Sequence, residues 1–153
     1  MSKEEQVIKN YRDLFNKMVW LNEIKMKENL KGYSPSEVHC IEYIGKNANP
    51  NVTKLADSFY MTRGAITKMT RKLMEKGVIE SFQKPDNKKE VCFRLTSKGK
   101  SVHETHEKLH AEFRERDNAV FERITDEQFD VMLDFAERYN RHLDDEIKKI
   151  HAD

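Results

Sequence analysis

Apolar residues near the start of the chain recur every three or four positions. Val7, Tyr11, Leu14, Met18 and Leu21 fall on one helical face, and Ile8, Phe15 and Val19 widen the stripe. The spacing predicts a helix over residues 4–30, ended by Gly32. Ser34-Pro35-Ser36-Glu37 then opens a second helix. Ser34 is the N-cap, Pro35 takes the first helical position, and Glu37 completes a capping box. Val38, Ile41 and Ile44 form its apolar face, and Gly45 reads as its stop. A short third helix starts at Asn51-Val52-Thr53-Lys54 after Pro50. Tyr60-Met61-Thr62 is a turn, with Thr62 as N-cap of a fourth helix over residues 63–76, closed by Gly77. Ile66, Met69, Leu73 and Met74 give that helix an inward stripe. Its opposite face carries Arg63, Thr67, Lys68, Arg71 and Lys72.

The period then drops from 3.6 to 2. Residues 78–83 and 90–95 alternate, and Lys84-Pro85-Asp86-Asn87-Lys88-Lys89 joins them. This predicts a hairpin with Lys88 and Lys89 at its tip. After Thr96 a long helix runs from residue 97 to about 121. Thr125-Asp126-Glu127-Gln128 is another capping box and opens a last helix to about residue 150. No internal repeat or low-complexity tract interrupts the order. The predicted fold class is mainly α with a small β-wing.

Composition sharpens this picture. Charged residues make up 36% of the 153 and hydrophobic ones 37%, which suits a thin core with long charged helices that finish their burial in an oligomer. Only 5 Gly and 3 Pro leave the helices free to run on. No apolar run approaches the ~20 residues that cross a bilayer. The start, MSKEEQ, lacks the apolar core of a signal peptide. Cys40 and Cys92 do not make a disulfide framework, so the expectation is a cytoplasmic protein with reduced thiols, no membrane partner, and both cysteines used for packing.

The net charge of +1 conceals an asymmetry. Residues 61–100 carry +7 and the remainder −6. A basic block inside a near-neutral chain is the electrostatic footprint of a phosphate-backbone binder. An ordinary solvated face also collects charge. Here, however, the basic helix follows a short helix and a turn and precedes a lysine-bearing hairpin. That order is a winged helix-turn-helix, whose second helix enters the major groove of double-stranded DNA. Arg63, in the first turn, is positioned to bond guanine bidentately. Thr62, Thr67 and Lys68 suit phosphate or base contacts, Arg71 and Lys72 extend the face, and Lys88 and Lys89 suit the minor groove or its phosphates.

"MTRGAITKMTRKLMEKGVIES" resembles the recognition helix of MarR-type transcriptional regulators. "KPDNKKEVCFRLTSKGK" resembles their wing and the start of the linking helix, and "YSPSEVHCIEYIG" the helix before the reader. The resemblance extends over essentially the whole chain. It implies a homodimer of long-helix subunits, with residues 1–32 and 97–153 as dimerisation helices and 33–96 as the DNA-binding part. It further implies binding to a pseudo-palindromic operator, usually to repress, under control of an effector. One departure stands out. Lys88 and Lys89 occupy positions where the family commonly has arginine, which favours phosphate contact over minor-groove readout.

A second motif lies on the linking helix. "HEKLH", residues 106–110, matches the His-Glu-x-x-His signature of metalloproteases. A hydrolase would need a third ligand and a substrate cleft, and no segment is left over to build one, so no enzyme activity is expected. His106 and His110 project from one face, with His103 at its edge and Val102, Leu109, Phe113 and Val120 as its apolar members. In the zinc-sensing branch of the family, the resemblance gives such a pair two further ligands. His39 matches one, and Glu28, or failing it Glu23, the other. "EVHCIEYIG" also resembles the family's fatty-acid-synthesis repressors, whose effector is an acyl carrier protein. Zinc, an acyl chain or another small molecule are therefore the effectors the resemblance implies. In the last two cases the histidines are structural.

Overall fold

A computed structural model describes residues 1–151. The elements run α1 (Lys3–Asn29), α2 (Pro35–Lys46), α3 (Val52–Phe59), α4 (Arg63–Glu75), β1 (Ile79–Lys84), β2 (Asn87–Leu95), α5 (Ser97–Asp117), a 3-10 turn (Asn118–Phe121) and α6 (Asp126–His151). They group into two units, Met1–Phe113 and Arg114–Asp153.

In the first unit each helix begins where local chemistry satisfies its free N–H groups. Ser34 Oγ accepts from the Glu37 N–H at 3.2 Å, and Glu37 Oε1 accepts from the Ser34 N–H at 3.0 Å. Asn51 Oδ1 caps α3 and Thr62 Oγ1 caps α4, at 2.9 Å and 3.1 Å. The caps also tie elements together. Lys76 donates to Glu37 Oε2 at 2.7 Å and to the Gly32 carbonyl at 2.6 Å, joining the start of α2 to the end of α4. Asn51 donates to Glu90 Oε1 at 2.8 Å, joining α3 to β2.

The main core gathers Cys40, Ile41 and Ile44 from α2, Leu55 and Ala56 from α3, Ile66, Met69 and Leu73 from α4, and Val78, Ile79 and Phe93 around the hairpin. A smaller cluster of Leu30, Val38, Leu109 and Phe113 joins the end of α1 to α2 and α5. β1 and β2 pair antiparallel from Ile79↔Leu95 to Lys84↔Asn87, with an irregularity between Phe82 and Lys84. In the second unit Thr125 and Gln128 cap α6 reciprocally at 3.0 Å and 3.2 Å, and the Phe121 and Phe129 rings stack at 5.9 Å.

Several expectations are corrected. α1 ends at Asn29 with Leu30 as its cap, before Gly32. Gly45 does not stop α2, which continues to Lys46. A Cβ at Gly45 would stand 3.0 Å from Leu95 Cδ1 and 3.3 Å from His103 Cδ2, so this glycine serves a close approach of helices. Met74 is 38% exposed, and Thr70 takes the inward position because its hydroxyl is satisfied by the Ile66 carbonyl at 3.0 Å. The hairpin turns at Pro85-Asp86, so Lys88 and Lys89 lie in β2 beside the turn and not at its tip. α5 ends at Asp117, and Val120 sits in the 3-10 turn, 72% exposed, outside the apolar stripe.

Candidate nucleic-acid interface and the histidine junction

α4 turns its stripe of Ile66, Met69, Thr70 and Leu73 into the core. Burial of that stripe fixes the rotation of the helix and presents Arg63, Thr67, Lys68, Arg71 and Lys72 to solvent. Thr62 is exposed but committed as the N-cap, and Thr67 donates to the Arg63 carbonyl at 2.9 Å. Among the described residues no carboxylate pairs with Arg63, Lys68, Arg71 or Lys72. The face is therefore an uncompensated positive surface on a rigidly bedded helix. Nearby, Lys88 and Lys89 are exposed on β2, and Gln83 Nε2 donates to the Lys88 carbonyl at 2.8 Å. Another cation of the wing is engaged, since Arg94 Nε donates to Glu80 Oε1 at 2.7 Å.

A second constellation lies where α2 meets α5. His106 is 2% exposed, and His103 and His110 are half-buried. His106 Nε2 lies 2.9 Å from His110 Nε2. Burial, and then the neighbouring His110, hold His106 below the ordinary imidazole value against the pull of Glu42. Its Nδ1 stands 3.6 Å from Glu42 Oε2, beyond hydrogen-bond length. The Nδ1 atoms of both His103 and His106 are buried without a hydrogen-bond partner among the described residues. Lys46 bridges the two helices above them, 2.9 Å from Glu42 Oε1 and 3.1 Å from Glu107 Oε1. Burial pushes the Glu42 carboxyl up, but Lys46 and the histidines outweigh it and hold it below its usual range.

Of the four residues implied as zinc ligands, His106 and His110 touch. His39 is exposed on α2, near enough for its charge to bear on His106. Glu28 is exposed on the last turn of α1, and among the described residues no hydrogen bond or ion pair joins it to the histidines. The fallback Glu23 pairs with Lys27 at 3.8 Å. The carboxylates at the junction are instead Glu42 and Glu107. The sequence hinted at both, since Glu42 follows His39 by three residues on α2 and Glu107 belongs to HEKLH itself.

Three helices capped in turn, the last of them basic, and a two-stranded wing define a winged helix-turn-helix protein. The sequence pattern of the MarR family matches residues 33–91, which span this unit. The winged-helix segment of the chain carries the MarR family's sequence pattern. It is 36% identical over 108 residues to the uncharacterized HTH-type transcriptional regulator YhjH of Bacillus subtilis, a match covering 71% of this chain and 59% of that protein. To the HTH-type transcriptional regulator PchR of the same organism it is 28% identical over 148 residues, 88% of each. Its fold superposes on FabT of Streptococcus pneumoniae, solved in complex with DNA. The TM-score is 0.80 at 23% identity, over 94% of this chain and 99% of that one. The family and these relatives are transcriptional regulators and not enzymes.

Proposed function

We propose that the protein is a transcriptional regulator, acting as a repressor, that binds a pseudo-palindromic double-stranded operator as a homodimer. The observation that carries this reading is the unpaired basic face of α4, held outward by a buried stripe and an N-cap. An exposed helix of that kind fits the major groove, with Arg63 on a base edge and Lys68, Arg71 and Lys72 along phosphates. Lys88 and Lys89 contact the flanking backbone.

The long helices support dimerisation. α1 has no buried residue, and Phe15 and Trp20 are 58% and 68% exposed on it. α6 likewise exposes Val131 and Leu133. Apolar faces of this length on monomers normally mark an interface. A dimer also presents two reading helices to half-sites about one DNA turn apart. An effector acting at the α2–α5 junction regulates operator affinity through its different affinity for DNA-competent and incompetent arrangements.

The test is a mobility-shift titration against selected operator DNA at several salt concentrations. Arg63→Ala is expected to weaken binding by about 1–3 kcal/mol and to relax base preference, whereas Lys72→Ala weakens all sequences alike and flattens the salt dependence. Wild-type affinity in both variants would remove α4 as the reader.

A further inference from the structure

The α2–α5 junction carries two buried imidazole nitrogens that no group among the described residues satisfies. Groups of that kind are rare in native interiors, and each calls for a partner. His103, His106 and Glu107 each offer one ligand atom, all within 4.8 Å of one another. Glu42 Oε2 faces His106 Nδ1 from the opposite helix at 3.6 Å. Two imidazoles and a carboxylate, with a second carboxylate across the gap, are the donor set that borderline divalent ions such as zinc prefer.

The same place already holds a positive charge. The Lys46 ammonium lies between Glu42 and Glu107, yet its side chain is 49% exposed and has an open route to solvent. Gly45 adds a structural condition. Its missing Cβ lets the His103 ring lie against α2, where any side chain would stand 3.3–3.4 Å from it.

We propose that this junction is a divalent-metal site with His103, His106 and Glu107 as ligands and Glu42 as the fourth, and that Lys46 occupies it in the metal-free protein. The ligand atoms of His103, His106 and Glu107, now within 4.8 Å of one another, must draw together, and Glu42 must close on them, to reach the ~2.0–2.2 Å bonds of a tetrahedral ion. Binding expels the lysine and replaces a solvent-exposed bridge with coordination bonds from α5 to α2. Since α2 packs through Cys40, Ile41 and Ile44 on the core that beds α4, the ion stiffens the connection between reader and linking helix. This deepens the regulatory reading above, on which its biological consequence rests, and it assigns a ligand set other than Glu28, His39, His106 and His110.

The experiment is a titration of the chelator-treated full chain with cobalt(II), followed by zinc displacement, reading the visible bands of a four-coordinate ion. One equivalent per chain is expected. Glu107→Gln and His103→Gln should each weaken binding at least about tenfold, whereas His39→Gln should leave it unchanged. Lys46→Met should tighten it by about tenfold, because a competing like charge is removed from a half-exposed site. Circular dichroism checks that each variant is folded, and the half-exposed Glu107 carries the test should His103→Gln fail to fold. The absence of a tight equivalent in the wild-type chain overturns the proposal. So does loss of binding in His39→Gln with retention in Glu107→Gln. Mobility shift of the metal-free protein tests DNA binding separately: failure there defeats the regulator reading and leaves the metal result standing.

Discussion

Glu37 shows how one side chain can hold two elements. It completes the α2 capping box and receives Lys76 from the end of α4 while only 9% exposed. Burial raises its pKa, but Lys76 and Ser34 outweigh that, so the folded carboxyl titrates below its ordinary 4.5. A group depressed in the folded state stabilises fully above its unfolded value and loses that contribution as pH falls through the folded one. Thermal melts from pH 7 to pH 3 should therefore show a loss of stability below about pH 4.5. Glu37→Gln should cost about 1–2 kcal/mol at pH 7, the lower part of the range for a charged hydrogen bond because Lys76 is partly solvated, and should flatten that acid limb. An unaltered pH profile in the variant would assign the acid sensitivity to other carboxylates. His106 carries the opposite lesson. Its register among Val102, Leu109 and Phe113 was legible in the sequence, but its orphaned Nδ1 was not, because that depends on how far α2 stands from α5.

At the scale of elements, the joint between wing and α5 is closely packed. Thr96 donates to the Gly77 carbonyl at 2.6 Å and accepts from the Gly99 N–H at 3.1 Å, so the wing's exit and the entry to α5 share one hydroxyl. Gly99 is buried there, and a Cβ on it would overlap the Val78 backbone carbonyl. A backbone obstacle cannot swing aside as a side chain can. Gly99→Ala is therefore expected to cost about 3 kcal/mol, at the upper end for an overpacked site. Denaturant unfolding measures this, and a loss below 0.5 kcal/mol would mean that α5 reseats freely. Local signals placed most elements: the capping motifs at Ser34, Thr62 and Thr125 all form as their spacing requires. Their ends were less legible. Gly45 looked like a stop, but a glycine inside a helix can equally serve a close neighbour, and only the neighbour decides.

For the whole molecule, the apolar surface exceeds what a lone chain covers comfortably. α1 alone exposes Val7, Leu14, Phe15, Val19, Trp20 and Ile24, each at more than a third of its area. If these faces close in a homodimer, folding and association are linked, and the melting temperature rises with protein concentration. Leu14→Asp should then shift the sedimenting species from dimer to monomer and lower the melting temperature. A wild-type chain that sediments as a monomer at micromolar concentration would defeat the dimer proposal and leave these faces to another partner.

The sequence alone determined which segments are helical, where most of them start, that a hairpin follows a basic helix, and hence the winged helix-turn-helix class. Those features depend on caps, turn residues and apolar period, all set by neighbours a few positions away. The tertiary structure decided the composition of the junction. Glu28 and Glu23 were the acids offered by alignment of motifs, while Glu42, Lys46 and Glu107 are the charges that packing brings to His103 and His106. It likewise decided that Lys88 and Lys89 flank the turn and do not cap it. Such placements depend on the distance between elements far apart in the chain, which is fixed by the shape of the shared core and by a missing Cβ at Gly45, not by any local pattern.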